Sequence, residues 1–223
     1  MRTISRGFLF DLDGVLVRSE ELHHEAYRRA CAARGFVLPW SFERYCLAAH
    51  YGPEHLQEEL RRELPDLLAG ERGWDLLYGE KSRRYLELLA GEDVPLQPGA
   101  AAALQRLAAA AAPHAVVTNS TRQQTALLRR RHAALDAVPL WVTREDYAEA
   151  KPAPDAYRAA LQLLGAPPTQ AVGFEDTPRG LQALAAAGVP AVLVSGIPYP
   201  DLGEVAPLLR VPNLAALPAG WLP

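Results

Sequence analysis

The sequence predicts an α/β fold: a doubly wound, Rossmann-like parallel sheet with an all-helical segment inserted after its first strand. Three observations support this. Five short apolar runs are unbroken by polar residues, as strands buried on both faces require. From residue 98 onward helical patterns separate these runs, the alternation of βαβ units. Three runs end abruptly in polar residues, at the carboxyl ends of strands where open α/β sheets bind their ligands.

The elements follow in chain order. Gly7-Phe8-Leu9-Phe10 is the first strand, and Asp11-Leu12-Asp13-Gly14 follows it directly. Residues 17–97 contain no convincing strand. Residues 20–34 place Leu22, Ala26, Tyr27 and Ala30 on one helical face, and residues 54–64 and 74–89 are also helical in pattern. The chain leaves the sheet near Leu16-Val17-Arg18 and returns near Val94-Pro95-Leu96-Gln97-Pro98-Gly99, two short crossings able to act as a hinge. The domains are therefore 1–16 with 98–223, and 17–97. An Ala/Leu-rich helix over 100–112 stops at Pro113, and the strand Ala115-Val116-Val117 leads into Thr118-Asn119-Ser120. A helix over 121–132 and a strand over 138–142 come next. A helix over 154–164 opens on proline and stops before Gly165. The strand Ala171-Val172-Gly173-Phe174 ends in Glu175-Asp176-Thr177, a helix over 178–187 ends at Gly188, and Ala191-Val192-Leu193-Val194 is the fifth strand. The proline-rich residues 197–223 are expected to wrap the surface.

Composition excludes several classes. Across 223 residues, 23 Lys+Arg against 26 Asp+Glu gives a formal charge of −3, so no broad basic surface exists for nucleic acid. No apolar run approaches the roughly 20 residues of a membrane span, and the first residues lack a signal peptide's apolar core. Cys31 and Cys46 match no metal pattern and are expected as buried thiols in a reducing cytoplasm. No long apolar stripe demands a partner, so a monomer is expected. Only two basic residues are lysines, Lys81 and Lys151; the rest are arginine.

The chemistry concentrates at the strand tips. Asp11 and Asp13 end the first strand, Glu175 and Asp176 another. Four carboxylates converging on one crevice would repel and lose ionisation without a cation. Hard oxygen ligands beside an anion site suit Mg²⁺. Thr118 and Asn119 offer a hydroxyl and a helix-start amide to phosphoryl oxygens. Lys151, held by prolines in Ala150-Lys151-Pro152-Ala153-Pro154-Asp155, can offset repulsion between a carboxylate and an anionic phosphate.

Together these residues resemble the haloacid dehalogenase superfamily over essentially the whole chain. Asp11-Leu12-Asp13-Gly14-Val15, Thr118, Lys151 and Glu175-Asp176 match its four motifs in order. Lys-Pro-Ala-Pro-Asp and residues 173–188 match the branch containing phosphoglycolate and sugar-phosphate phosphatases and β-phosphoglucomutases. The resemblance implies Asp11 as the nucleophile forming an aspartyl-phosphate. It implies Asp13 as general acid and then base. Mg²⁺ would be held by Asp11, the Asp13 carbonyl and Asp176, with Glu175 acting through water. Thr118 and the Asn119 amide would hold phosphoryl oxygens, and Lys151 both nucleophile and phosphate. Dehalogenases and phosphonate-cleaving relatives lack an aspartate at the place of Asp13, so phosphate-ester chemistry is favoured.

The insertion resembles the branch's small helical cap, which closes over the site and supplies specificity. Ser19, Glu20, His23, His24, His50, His55 and Lys81 are candidates to face the substrate. Glu20-Glu21-Leu22-His23 fits an acid-x-x-His pattern, favouring His23 over His24, and Lys81 stands four residues before Tyr85 as cap lysines of the branch do. The expected function is Mg²⁺-dependent hydrolysis of a small phosphorylated metabolite, a sugar phosphate or phosphoglycolate-like monoester. The alternative is a β-phosphoglucomutase-type phosphomutase. His55, after Gly52, stands where those mutases carry an arginine for a second phosphate, which favours the phosphatase. Ala150 replaces the glycine usual before the third motif.

Overall fold

The protein is described by a computed structural model covering residues 6–70 and 72–223. It divides into two compact units, Ser19–Val94 and the remainder, which resumes at Pro95–Pro223.

In the second of these, six parallel strands form one sheet: β1 (Gly7–Phe10), β2 (His114–Val117), β3 (Leu140–Val142), β4 (Ala171–Glu175), β5 (Ala191–Val194) and β6 (Leu209–Val211). Their order is β3-β2-β1-β4-β5-β6. The chain winds outward from β1 to β3, then restarts at β4 on the other side of β1, so the winding reverses between β1 and β4. At such a reversal the loops leaving neighbouring strands diverge and open a crevice above the carboxyl ends. Every residue of β1, β2, β4 and β5 is buried. Phe10 pairs in register with Val116 on one side and Phe174 on the other, and the Phe10 and Phe174 rings stack at 4.5 Å. This packing holds the tips of β1 and β4 at one height.

β6 corrects the expectation that residues 197–223 only wrap the surface. It pairs with β5 through Val192, Leu193 and Val194. Its three residues lie at the sheet edge between Pro207 and Pro212 and bury only Val211, so they lack the continuous apolar run that marks the inner strands.

The helical unit contains α1 (Glu20–Ala32), α2 (Phe42–Ala49), α3 (Pro53–Glu63) and α4 (Gly73–Gly91). α1 packs along α4, burying Ala26, Tyr27, Ala30 and Cys31 from one and Leu77, Lys81, Tyr85, Leu88 and Leu89 from the other. α2 has no counterpart in the sequence-based assignment. Its start is set by Ser41, whose hydroxyl accepts the Arg44 amide at 3.2 Å. Residues 17, 18 and 95–97, placed with the helical segment from sequence, run instead with the sheet unit. Val17 and Leu96 form an antiparallel bridge, and the Arg18 amide donates to the Pro95 carbonyl at 2.9 Å. Cys31 and Cys46 are buried thiols.

The sheet is flanked by α5 (Ala100–Ala109), α6 (Arg122–Arg131), α7 (Ala133–Asp136), α8 (Asp155–Leu164) and α9 (Pro178–Ala186). α8 packs on β1, β2 and β3, and α9 on β4 and β5. α6 and α9 start directly beyond strand tips under Thr121 and Thr177, whose side chains accept the amides of Gln124 and Gly180. No helix among the described residues is long and apolar enough to cross a membrane.

Candidate active site

Asp11 is the first residue beyond β1. Its amide donates to the Phe174 carbonyl at 2.9 Å, locking it to the end of β4. The chain then turns through Gly14, at φ +79, whose amide donates to the Val17 carbonyl at 2.9 Å. The Gln97 side chain donates to the Gly14 carbonyl at 2.9 Å and fixes the turn from the returning crossing. Only glycine fits: a Cβ at position 14 would lie 2.0 Å from Asp176 Oδ2.

At the tip of β2, the Thr118 amide donates to the Val142 carbonyl at 2.9 Å. The Thr118 hydroxyl accepts the Ser120 amide at 2.9 Å and lies 3.4 Å from Asp13 Oδ2, while the Ser120 hydroxyl donates to the same Asp13 oxygen at 2.6 Å. The Asp13 carboxylate thus rests on two hydroxyls. Tyr147 reaches in with its hydroxyl 2.9 Å from the Thr118 carbonyl and 2.7 Å from Asn119 Oδ1, which also accepts the Lys151 amide at 3.3 Å. Burial pushes the Tyr147 phenol up to about 12, so it remains a donor.

Lys151 joins the three tips. Its ammonium donates to Asp11 Oδ1 at 2.5 Å, Glu175 Oε1 at 2.6 Å and the Val117 carbonyl at 2.8 Å. Burial alone would depress its pKa, but Asp11 and Glu175 overcome that and hold it above its ordinary value. Burial acts on Asp11 in the same direction as its acidic neighbours. Desolvation, then Glu175 and Asp13, raise its carboxyl well above the usual range against the opposing pull of Lys151.

Asp11, Glu175 and Asp176 are all buried, and one oxygen from each lies within 4.8 Å of the others. The Lys151 ammonium donates to two of these three acids, Asp11 and Glu175. This buried all-oxygen donor set fits a hard divalent cation. Asp13, predicted to hold the metal through its backbone carbonyl, keeps its side chain on the Thr118 and Ser120 hydroxyls.

Of the predicted residues of the helical unit, Lys81 and His23 come together. Lys81 is buried, its ammonium 2.8 Å from His23 Nδ1 and between 5.1 and 5.8 Å from the ring centroids of Tyr27, Tyr78 and Tyr85. The His23 ring stacks on Tyr85 at 3.7 Å. Ser19, fully buried, precedes α1. His24 stacks on Tyr45 instead, and burial, then Arg28, hold it below its ordinary value. His50 Nε2 lies 3.1 Å from Glu20, and His55 meets the Tyr51 ring edge-on.

Sequence reasoning passed over Ser120, Tyr147, Tyr157 and Gln97. Ser120 shares the polar tip of β2 and was within reach of that reading. Tyr157 sits on the buried face of amphipathic α8 and looks there like a core aromatic.

A strand reversal carrying acids, hydroxyls and one lysine on adjacent tips is the arrangement of a definite class of enzyme. The family model for haloacid dehalogenase-like hydrolases matches residues 6–188, and the chain belongs to that family. Protein CbbY of Rhodobacter capsulatus is 32% identical over 222 residues, 98% of this chain and 97% of that protein. Hexitol phosphatase A of Escherichia coli (strain K12) is 32% identical over 203 residues, 90% of this chain and 88% of that protein. The crystal structure of CbbY from Rhodobacter sphaeroides in complex with phosphate superposes with a TM-score of 0.74 at 28% identity, covering 96% of each chain. A mutant of that protein, solved with xylulose-(1,5)bisphosphate, gives 0.73 at 27% identity, again over 96% of each chain.

Proposed function

We propose that this hydrolase is a Mg²⁺-dependent phosphatase that removes phosphate from a small phosphorylated sugar through an aspartyl-phosphate on Asp11. The observation that carries this reading is the buried Asp11–Lys151–Glu175 array at the central strand tips, beside Asp176 and the Thr118 hydroxyl. Asp11 attacks phosphorus as the P–O bond to the sugar breaks, and Asp13, which enters this step as the carboxylic acid, gives its proton to the departing oxygen. Asp13 then takes a proton from the water that cleaves the acyl phosphate, releasing phosphate and restoring Asp11. To do so it exchanges the Ser120 and Thr118 hydroxyls for the leaving oxygen, which opens Thr118 to a phosphoryl oxygen alongside the Asn119 amide. Lys151 lowers the repulsion between carboxylate and phosphate.

Asp11 and Asp176, with the Asp13 carbonyl and with Glu175 through water, would hold Mg²⁺, which supplies charge neutralisation for phosphoryl transfer. A second cation is in keeping with Asp11 itself. Burial, Glu175 and Asp13 raise its carboxyl above the ordinary range against the pull of Lys151, and a further positive charge nearby would favour the carboxylate that attacks.

The helical unit is read as the family's small cap, with Ser19, His23 and Lys81 among its substrate contacts. The buried Lys81–His23 pair supports this, since a lone solvated lysine would need no such housing. The relative solved with xylulose-(1,5)bisphosphate and the relative named as a hexitol phosphatase support a phosphorylated sugar as substrate class.

The test is phosphate release from a panel of sugar and polyol phosphates with Mg²⁺, with xylulose-(1,5)bisphosphate, hexitol phosphates, phosphoglycolate and β-glucose 1-phosphate included. EDTA should abolish release and added Mg²⁺ restore it. Activity that survives EDTA would remove the metal from the reaction, and phosphate relocation without net release would mark a mutase. Gly14→Ala tests the geometry on the best substrate. The new methyl must push Asp176 aside, and kcat should fall about 10²-fold while circular dichroism stays unchanged.

A further inference from the structure

We propose that Tyr157 is a positioning residue of the acidic cluster, its hydroxyl fixing how the Lys151 ammonium is divided between Asp11 and Glu175. The inference rests on the phosphatase reading above. Tyr157 lies in the first turn of α8 and is fully buried. Its hydroxyl donates to Glu175 Oε1, and the Lys151 nitrogen lies 4.8 Å from its ring centroid.

The hydrogen-bond inventory explains the residue. An ammonium has three protons, and Lys151 directs one each to Asp11, Glu175 and the Val117 carbonyl. Glu175 Oε1 takes two hydrogen bonds, one from Lys151 and one from Tyr157, while its other oxygen has, among the described residues, only the Thr177 hydroxyl at 3.5 Å. On its far side Glu175 is boxed by α9, where a Cβ on Gly180 would lie 2.0 Å from Oε2. The carboxylate therefore has little room to turn and depends on the donors it has. A buried hydroxyl is costly unless bonded, so an apolar core position would be served by phenylalanine. The hydroxyl is explained by Glu175. Without it, the buried carboxylate has one donor fewer. Lys151 is the group already placed to compensate, by moving toward Glu175 and away from Asp11. Asp11 then loses its neutralising partner, and the three acids lose the arrangement that suits one divalent cation.

Tyr157→Phe removes only the hydroxyl. Calorimetric titration with MgCl₂ in the presence of inorganic phosphate should show Mg²⁺ affinity weakened about tenfold, as for loss of a group that orients a metal ligand. In a Glu175→Gln background Tyr157→Phe should have no further effect, because the charge it serves is gone. This double variant carries the test if Tyr157→Phe alone is unstable. Wild-type affinity in Tyr157→Phe, or an equal loss in both backgrounds, would overturn the proposal. A wild-type chain that binds no Mg²⁺ under these conditions overturns the metal reading and this inference with it, a result distinct from a variant that binds as the wild type does.

Discussion

Asp11→Asn is expected to lower phosphate release by about 10⁴-fold or more while the protein stays folded. The amide has the carboxylate's shape but cannot attack phosphorus. The substitution removes one of three buried acids, and the one whose carboxyl is raised by burial and by Glu175 and Asp13. Repulsion inside the site therefore falls. Lys151 keeps Glu175 and the Val117 carbonyl and can still donate to the amide oxygen. Phosphate release and calorimetric unfolding, measured together, check both halves. Activity retained at a hundredth of wild type would move the nucleophile elsewhere, and a collapsed fold would show that Asp11 is held for stability.

Lys151→Met should do the opposite to stability. It removes the single ammonium among Asp11, Glu175 and Asp176 and replaces it with an apolar chain of similar length. Breaking a buried ion pair from one side costs about 3–5 kcal/mol, because the remaining charge stays buried and uncompensated. Activity should be lost as well. The pH dependence identifies the cause. Asp11 is already raised in the folded protein, and losing Lys151 removes the main influence pulling it down. A carboxyl raised on folding binds more protons folded than unfolded, so the variant should gain stability as pH falls from that raised value toward the ordinary 3.8. Denaturant titrations at neutral and mildly acidic pH test this. A variant as stable as wild type at neutral pH would mean that the acids are already protonated there. Lys151→Arg should not restore activity, since a planar guanidinium cannot direct three hydrogen bonds to Asp11, Glu175 and Val117 as an ammonium does.

Much of this was written in the chain itself. β1, β2, β4 and β5 were legible because burial on both faces demands apolar runs, and the polar residues that end β1, β2 and β4 stand out against them. The residues of Asp11-Leu12-Asp13-Gly14, Thr118, Lys151 and Glu175-Asp176 were legible for the same reason. The acids are residue types that cost too much at a buried strand end to be there without a task, and Lys151 stands out as one of only two lysines, in a proline-bounded loop. β6 was not legible, because an edge strand of three residues buries one side chain and resembles a loop. α2 was missed because its start depends on one serine hydroxyl. Tyr147 and Tyr157 were hidden for a different reason. An aromatic ring satisfies the hydrophobic pattern whether or not its hydroxyl is used, and the partner of that hydroxyl is set by the tertiary fold. The direction of the Asp13 side chain was hidden too: spacing places it beside Asp11, but only the folded loop shows it on Ser120.

The housing of the two lysines also governs how the molecule meets reagents. Lys81 and Lys151 are both buried, and every other basic residue apart from histidine is arginine. The folded surface therefore presents acylating agents and amine-coupling resins with no lysine side chain. Lys151 precedes proline, a poor bond for lysine-specific proteases, so Lys81–Ser82 is the bond at which such a protease would register opening of the helical unit. A single cut in a chain of 223 residues would then report, as a clean pair of fragments, how often those helices come apart.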